Sequence, residues 1–201
     1  MDIQLSTLSV ILGLIVALPS AYGLLKPQQF AVAARKFPRN TMVGWGLMLM
    51  GTAWFLFNVS QETVSDFANM QSKFLLVFGA VGIATCIFVQ DFLPVRGLAV
   101  LFLLLAKLMV DTARWEETQW RLVISAWAYV LVIAGMWFTV SPWRLRDILN
   151  WSVATEQRTR MVNGARVAFG IFVILLGVTV FRAAEKKSAL VITPPSAALT
   201  S

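Results

Sequence analysis

The stretch from Leu98 to Val140 decides the fold. It reads LAVLFLLLAKLMV, then DTARWEETQWR, then LVISAWAYVLVIAGMWFTV. Two apolar runs are therefore joined by a short charged turn, and the second run contains no charged residue. Because a helix needs ~20 mainly apolar residues to cross ~30 Å of hydrocarbon, this pattern predicts a hairpin of two membrane-spanning helices.

The composition extends this prediction to the whole chain. Of its 201 residues, 58% are hydrophobic and only 13% are charged, whereas a soluble domain carries roughly 25% charged residues. We predict an all-α integral membrane protein, a bundle of six transmembrane helices within one membrane domain, residues 1–182. The predicted spans are residues 5–25, 42–59, 74–89, 92–110, 122–140 and 165–181, and residues 183–201 are predicted to form a disordered polar tail.

Two polar connections resemble each other. One reads PQQFAVAARKF from Pro27, and the other reads PWRLRDILNW from Pro142. Aligned on the prolines, their apolar residues share one helical face, so we predict two short cytoplasmic interfacial helices. A glycine-containing run follows each segment, which leaves two interpretations: an internal duplication, or the frequent occurrence of Pro and Arg where membrane helices end.

The formal net charge of +7 does not indicate a nucleic-acid partner, because the basic residues lie at the ends of apolar runs. The orientation of the spans relative to an anionic membrane leaflet explains the distribution of these basic residues. The chain has no histidine, which excludes histidine-ligated haem, most zinc sites and histidine proton relays. No P-loop or dinucleotide fingerprint occurs. We therefore predict neither a metal site nor a cofactor.

The lysine and arginine residues predict the orientation of the bundle. The connections after the first, third and fifth spans hold the larger set: Lys26, Arg35, Lys36, Arg39, Arg96, Arg144, Arg146, Arg158, Arg160 and Arg166. The opposite side holds Lys73, Arg114, Arg121, Arg182, Lys186 and Lys187. We predict that the first side is cytoplasmic and that both termini lie outside. Four tryptophans are expected to anchor the two interfaces, namely Trp115 and Trp120 outside, and Trp143 and Trp151 inside.

Small residues indicate where helices approach closely. Gly79 and Gly82 lie in the third apolar run, and Gly170 and Gly177, seven positions apart, share a face of the sixth. We interpret both pairs as helix-packing positions, with homo-oligomerisation as a sharper alternative.

Lys107, Asp111 and Arg114 form the main candidate site. Their i, i+4, i+7 spacing places them on one helical face, and Lys107 is the charged residue deepest within an apolar run. Charged residues in spans are costly and indicate function by default. The functional alternative is an ion or anionic-solute site. The structural alternative is a lysine that extends toward the interface beside an aspartate partner.

Short loops and few polar residues within the spans favour a non-enzymatic accessory or scaffold subunit of a bacterial-type inner membrane. Its expected partners are the lipid bilayer and a membrane protein or a second copy. One alternative is a small-solute or ion transporter or channel that uses Lys107 and Asp111. The other is a lipid-modifying enzyme with Arg114, Glu116 and Glu117 at the outer turn, although two adjacent carboxylates point in different directions on a helix.

Overall fold

The computed structural model describes residues 4–61, 70–115 and 118–184, and all regular secondary structure in these ranges is helical. The α-helices are α1 (Leu5–Leu25), α2 (Pro27–Lys36), α3 (Thr41–Gln61), α4 (Gln71–Phe88), α5 (Leu93–Arg114), α6 (Arg121–Val140), α7 (Trp143–Ser152) and α8 (Glu156–Leu176). A short 3₁₀ turn, Phe37–Arg39, follows α2, and α8 continues through a π-helical turn, Gly177–Phe181, to Ala184.

Six of these helices, α1, α3, α4, α5, α6 and α8, are long and apolar enough to cross a membrane. The prediction of an all-helical chain with six such helices is therefore confirmed. Most of the predicted polar tail, residues 183–201, lies outside the described residues.

The sixth long helix begins at Glu156 rather than at residue 165. Thr155 caps it, since its side-chain oxygen accepts a hydrogen bond from the backbone N–H of Arg158 at 3.3 Å. Glu156 in the first turn adds a favourable interaction with the helix dipole. The first turns of α8 are polar, so hydropathy alone assigned them to a connection.

Helices α1 and α8 pack along each other in opposite directions through glycine. A methyl group built on Gly13 would lie 2.7 Å from the carbonyl oxygen of Gly170. One built on Gly170 would lie 2.9 Å from the Cβ atom of Ala17, and one on Gly177 would lie 2.9 Å from the carbonyl oxygen of Ser6. Because the two backbones approach closely, no side chain fits at these points. We call this contact the α1–α8 seam.

Helix α5 organises the other long helices. It packs between α3 and α6, and α4 packs on α3. Gly97 of α5 lies against Met48 of α3, and Gly135 of α6 lies against Leu103 of α5. Glycine again permits close helix contacts on both flanks of α5.

Two apolar clusters join these parts. The larger cluster unites α1, α5, α6 and α8 and consists of Leu5, Leu8, Leu12, Ala106, Met109, Ala113, Ile124, Ala128, Leu131, Val173, Leu176 and Phe181. The smaller cluster unites α5, α6 and α7 and consists of Val95, Ala99, Phe138 and Leu145. The α1–α8 seam is thus attached to the rest of the bundle mainly near the start of α1.

The two short helices lie together at the opposite end of the bundle. Helix α2 contacts both α7 and α8, and Arg35 of α2 donates a hydrogen bond from Nη2 to the carbonyl oxygen of Val153 at 3.1 Å. Phe37, directly after α2, packs against the smaller apolar cluster. We call this region, where α1, α4 and α6 end and α3, α5 and α8 begin, the α2–α7 end.

The suggested duplication would make α1–α2–α3 equivalent to α6–α7–α8. Both halves do contain a short helix at the expected place. Their surroundings differ, however, because α1 packs mainly along α8 whereas α6, its equivalent, packs mainly along α5. The duplication stays a prediction.

The α1–α8 seam yields a test. We expect Gly170→Val to destabilise the protein by roughly 1–3 kcal/mol, the usual effect of overpacking, because its side chain would meet backbone atoms of α1. Thermal unfolding of the purified protein in detergent measures this change. Gly46→Val in α3 is the matched control, since a Cβ atom at Gly46 meets no heavy atom within 4 Å. Equal melting temperatures for the two variants would contradict the seam.

Candidate functional site

Lys107 and Asp111 form an ion pair along α5. The Lys107 Nζ atom lies 2.8 Å from the Asp111 Oδ2 atom, across one helical turn. The two side chains are 50% and 52% exposed, while Ala106, Met109 and Ala113 of the same turns are buried in the larger apolar cluster. The pair therefore lies on the outer surface of the bundle, away from its core.

Arg114, the third member of the candidate site, ends α5. Its carbonyl oxygen accepts a hydrogen bond from the Arg121 Nη1 atom at 3.1 Å, so its backbone helps to close the turn between α5 and α6. The structure thus brings Lys107 and Asp111 together, whereas the contact that involves Arg114 is made by its backbone. Glu116 and Glu117, the carboxylates of the enzyme alternative, lie outside the described residues.

The position of the pair along α5 limits its chemistry. Lys107 precedes Arg114 by two turns, which corresponds to ~10 Å at 1.5 Å per residue. A lysine side chain spans much of this distance. Asp111, one turn closer to Arg114, provides the counter-charge. This geometry neutralises a charge near the end of a helix.

The four tryptophans predicted as anchors are all exposed and lie at the two ends of the bundle. Trp115 and Trp120 flank the α5–α6 turn, and Trp143 and Trp151 belong to α7 at the α2–α7 end. Their role at a membrane interface stays a prediction.

The predicted packing glycines have different surroundings. Gly170 and Gly177 lie in the α1–α8 seam. Gly82 lies against the side chain of Thr52 in α3, whereas a Cβ atom at Gly79 would make only an ordinary contact with Leu56, at 3.6 Å. Of the four predicted packing positions, Gly82, Gly170 and Gly177 therefore make close helix contacts and Gly79 does not.

Sequence reasoning missed a polar arrangement at the α2–α7 end. Besides the bond from Arg35 to Val153, the guanidinium carbon of Arg158 lies 4.9 Å from the ring centroid of Trp151. The Arg158 Nη1 atom also lies 3.5 Å from the Trp151 carbonyl oxygen. Arg35 and Val153 are 118 residues apart in the sequence. A contact over this separation produces no periodic pattern of residues, so no sequence signal could have identified it.

Asn163 was missed as well. It is 1% exposed, and it lies in the notch left by Gly23 of α1. Its Nδ2 atom donates to the Thr159 carbonyl oxygen at 2.9 Å, while its Oδ1 atom has no protein partner among the described residues. The residue fell within the predicted polar connection, so its burial was not expected.

No group of three or more His, Cys, Asp or Glu side chains within the described ranges could hold a metal ion. No protein-family model, curated protein or solved structure matches this chain. The interpretation of its sites therefore depends on their geometry.

The Lys107–Asp111 pair can be tested with a double-mutant cycle. We expect Lys107→Met and Asp111→Leu each to lower the melting temperature slightly, because each removes one member of a half-exposed i, i+4 ion pair. The double variant should lose less stability than the sum of the two single losses, with a coupling of roughly 0.2–0.5 kcal/mol. Strictly additive effects would show that the pair contributes nothing to stability.

Proposed function

We propose that this chain is a multi-pass protein of a bacterial-type cytoplasmic membrane and acts there as a non-enzymatic accessory or scaffold subunit. The six long helices support the membrane placement. Large apolar side chains, such as those of Leu76 and Phe88 in α4, are exposed on the surface of the bundle. Water would disfavour such a surface, whereas lipid tails solvate it.

The charge distribution supports an orientation. Basic side chains gather at the α2–α7 end, which matches the excess of lysine and arginine in cytoplasmic loops. We propose that this end faces the cytoplasm. The α5–α6 turn, with the first residue of α1 and the last turn of α8, then faces the opposite side.

The accessory role is favoured by one observation above others: the Lys107–Asp111 pair neutralises itself on the outer surface of α5. A solute pathway through the bundle needs polar groups that face its interior. The cluster that joins α1, α5, α6 and α8 is apolar instead. Two buried hydroxyl groups are satisfied within their own helices, since Ser9 donates to the Leu5 carbonyl oxygen at 2.7 Å and Thr159 to the Thr155 carbonyl oxygen at 3.0 Å.

Native mass spectrometry of the protein, extracted gently from its own membrane, tests the proposed role. We expect a second protein in stoichiometric amount, which would identify the process that this subunit serves. A monomer or homo-oligomer with only a small solute bound would favour the transporter alternative instead. In that case Lys107→Met should abolish flux without reducing the amount of protein in the membrane.

The orientation is tested by cysteine labelling in a Cys86→Ala background. Gln119→Cys lies in the α5–α6 turn and Ala154→Cys lies between α7 and α8, and both positions are exposed. We expect a membrane-impermeant maleimide to label Gln119→Cys in intact spheroplasts, and Ala154→Cys only after permeabilisation. The reverse pattern would overturn the orientation, and labelling of both in intact cells would contradict the membrane placement.

A further inference from the structure

The α2–α7 end holds more positive charge than its own carboxylates neutralise. Asp147 pairs with Arg146 at 3.0 Å, and Glu156 pairs with Arg160 at 2.8 Å. These pairs occupy two of the basic residues. Other basic side chains at this end make no ion pair within the described residues, including Lys26, Arg35, Lys36, Arg39, Arg144 and Arg158. An anion from outside the chain would complement this surface.

Two of these guanidinium groups are held near the same short segment. Arg35 reaches it from α2 and donates to the Val153 carbonyl oxygen at 3.1 Å. Arg158 reaches it from the first turn of α8 and contacts both the ring and the carbonyl oxygen of Trp151. The two accepting carbonyl groups are two residues apart, so the arginines are fixed in position by a common piece of backbone.

Both arginines keep most of their hydrogen-bonding capacity. A guanidinium group carries five N–H donors, and the bonds to Val153 and Trp151 use one donor of each group. The planar fork of arginine matches the oxygen atoms of a phosphate group in a bidentate geometry. Glu156, the carboxylate nearest in sequence to Arg158, forms its ion pair with Arg160.

The surroundings distinguish a lipid from a water-soluble polyanion. Trp151 is 60% exposed, and Val32 of α2 and Ile148 of α7 are also exposed, at 54% and 39%. Apolar side chains interleaved with arginine are typical of helices that lie at the boundary between headgroups and acyl chains. Tryptophan prefers the same depth.

We propose that Arg35, Arg158 and Trp151 form a binding site for the phosphate group of an anionic phospholipid in the cytoplasmic leaflet. The arginines bind the phosphate oxygen atoms, and the exposed tryptophan ring lies beside the upper part of the acyl chains. This site depends on the membrane placement proposed above. It adds a specific ligand and specific residues to that placement.

The test uses the full chain in detergent with phosphatidylglycerol or phosphatidylcholine, followed by native mass spectrometry. We expect the wild-type protein to retain phosphatidylglycerol in preference to phosphatidylcholine. Arg158→Gln should weaken phosphatidylglycerol binding about tenfold, as loss of a charge-assisted hydrogen bond does, and Arg158→Lys should restore it only in part. The matched control is Arg144→Gln, which removes the same charge from an exposed position on α7 and should bind as the wild type does.

Arg35→Lys provides a second variant, because it keeps the charge but loses the fork. We expect it to weaken phosphatidylglycerol binding while the melting temperature stays near that of the wild type. Equal losses in Arg144→Gln and Arg158→Gln would overturn the site in favour of diffuse charge attraction. Displacement of the lipid by millimolar glycerol phosphate would assign the site to a water-soluble phosphate compound and overturn the lipid assignment.

Alkaline carbonate extraction separates this proposal from the proposed membrane placement. A chain that stays in the membrane fraction but shows no preference for phosphatidylglycerol would overturn the lipid site alone. A chain released into the soluble fraction would overturn both proposals.

Discussion

The close approach of α1 and α8 at Gly13 and Gly170 is the contact on which the placement of the two short helices depends. It joins the first and the last long helix of the described chain, and a methyl group at either glycine would meet the backbone of the other helix. Because α2 follows α1 directly and α7 precedes α8 directly, this contact also sets the two short helices side by side. The hydrogen bond between Arg35 and Val153 is a consequence of that proximity.

Within the long helices, polar side chains mostly bond to their own backbone. The hydroxyl groups of Ser9, Thr52, Thr85, Thr112, Thr139 and Thr179 each donate to the carbonyl oxygen four residues earlier. Such bonds satisfy a hydroxyl group without a neighbour from another helix. Contacts between the helices are consequently made by glycine and by apolar side chains, as is typical of helix packing in lipid.

Hydropathy predicted the six long helices well, because the length and apolar composition of a segment are visible in its own sequence and do not depend on its neighbours. The bounds of α1 agree with the prediction at Leu5 and Leu25. The start of α8 was missed because its first turns are polar, although Thr155 followed by Glu156 resembles a helix start. The arrangement of Arg35 and Arg158 was not predictable, because it depends on how α1 and α8 pack. The i, i+4 pairing of Lys107 with Asp111 was accessible from spacing, since both residues belong to one helix.

This difference in sequence separation also explains why much of the positive charge at the α2–α7 end has no carboxylate partner among the described residues. The carboxylates in the ion pairs between described residues pair with arginine or lysine one or four positions away, as Asp111, Asp147 and Glu156 do. Such a local pair forms wherever its helix forms, so each carboxylate neutralises the basic residue one or four positions away and leaves more distant basic residues unpaired. Arg35 and Arg158 instead contact backbone carbonyl groups and an indole ring, which leaves their charge uncompensated. The α2–α7 end therefore combines uncompensated positive charge with two arginines that are held in place, and that combination distinguishes the proposed phosphate site from a merely basic surface.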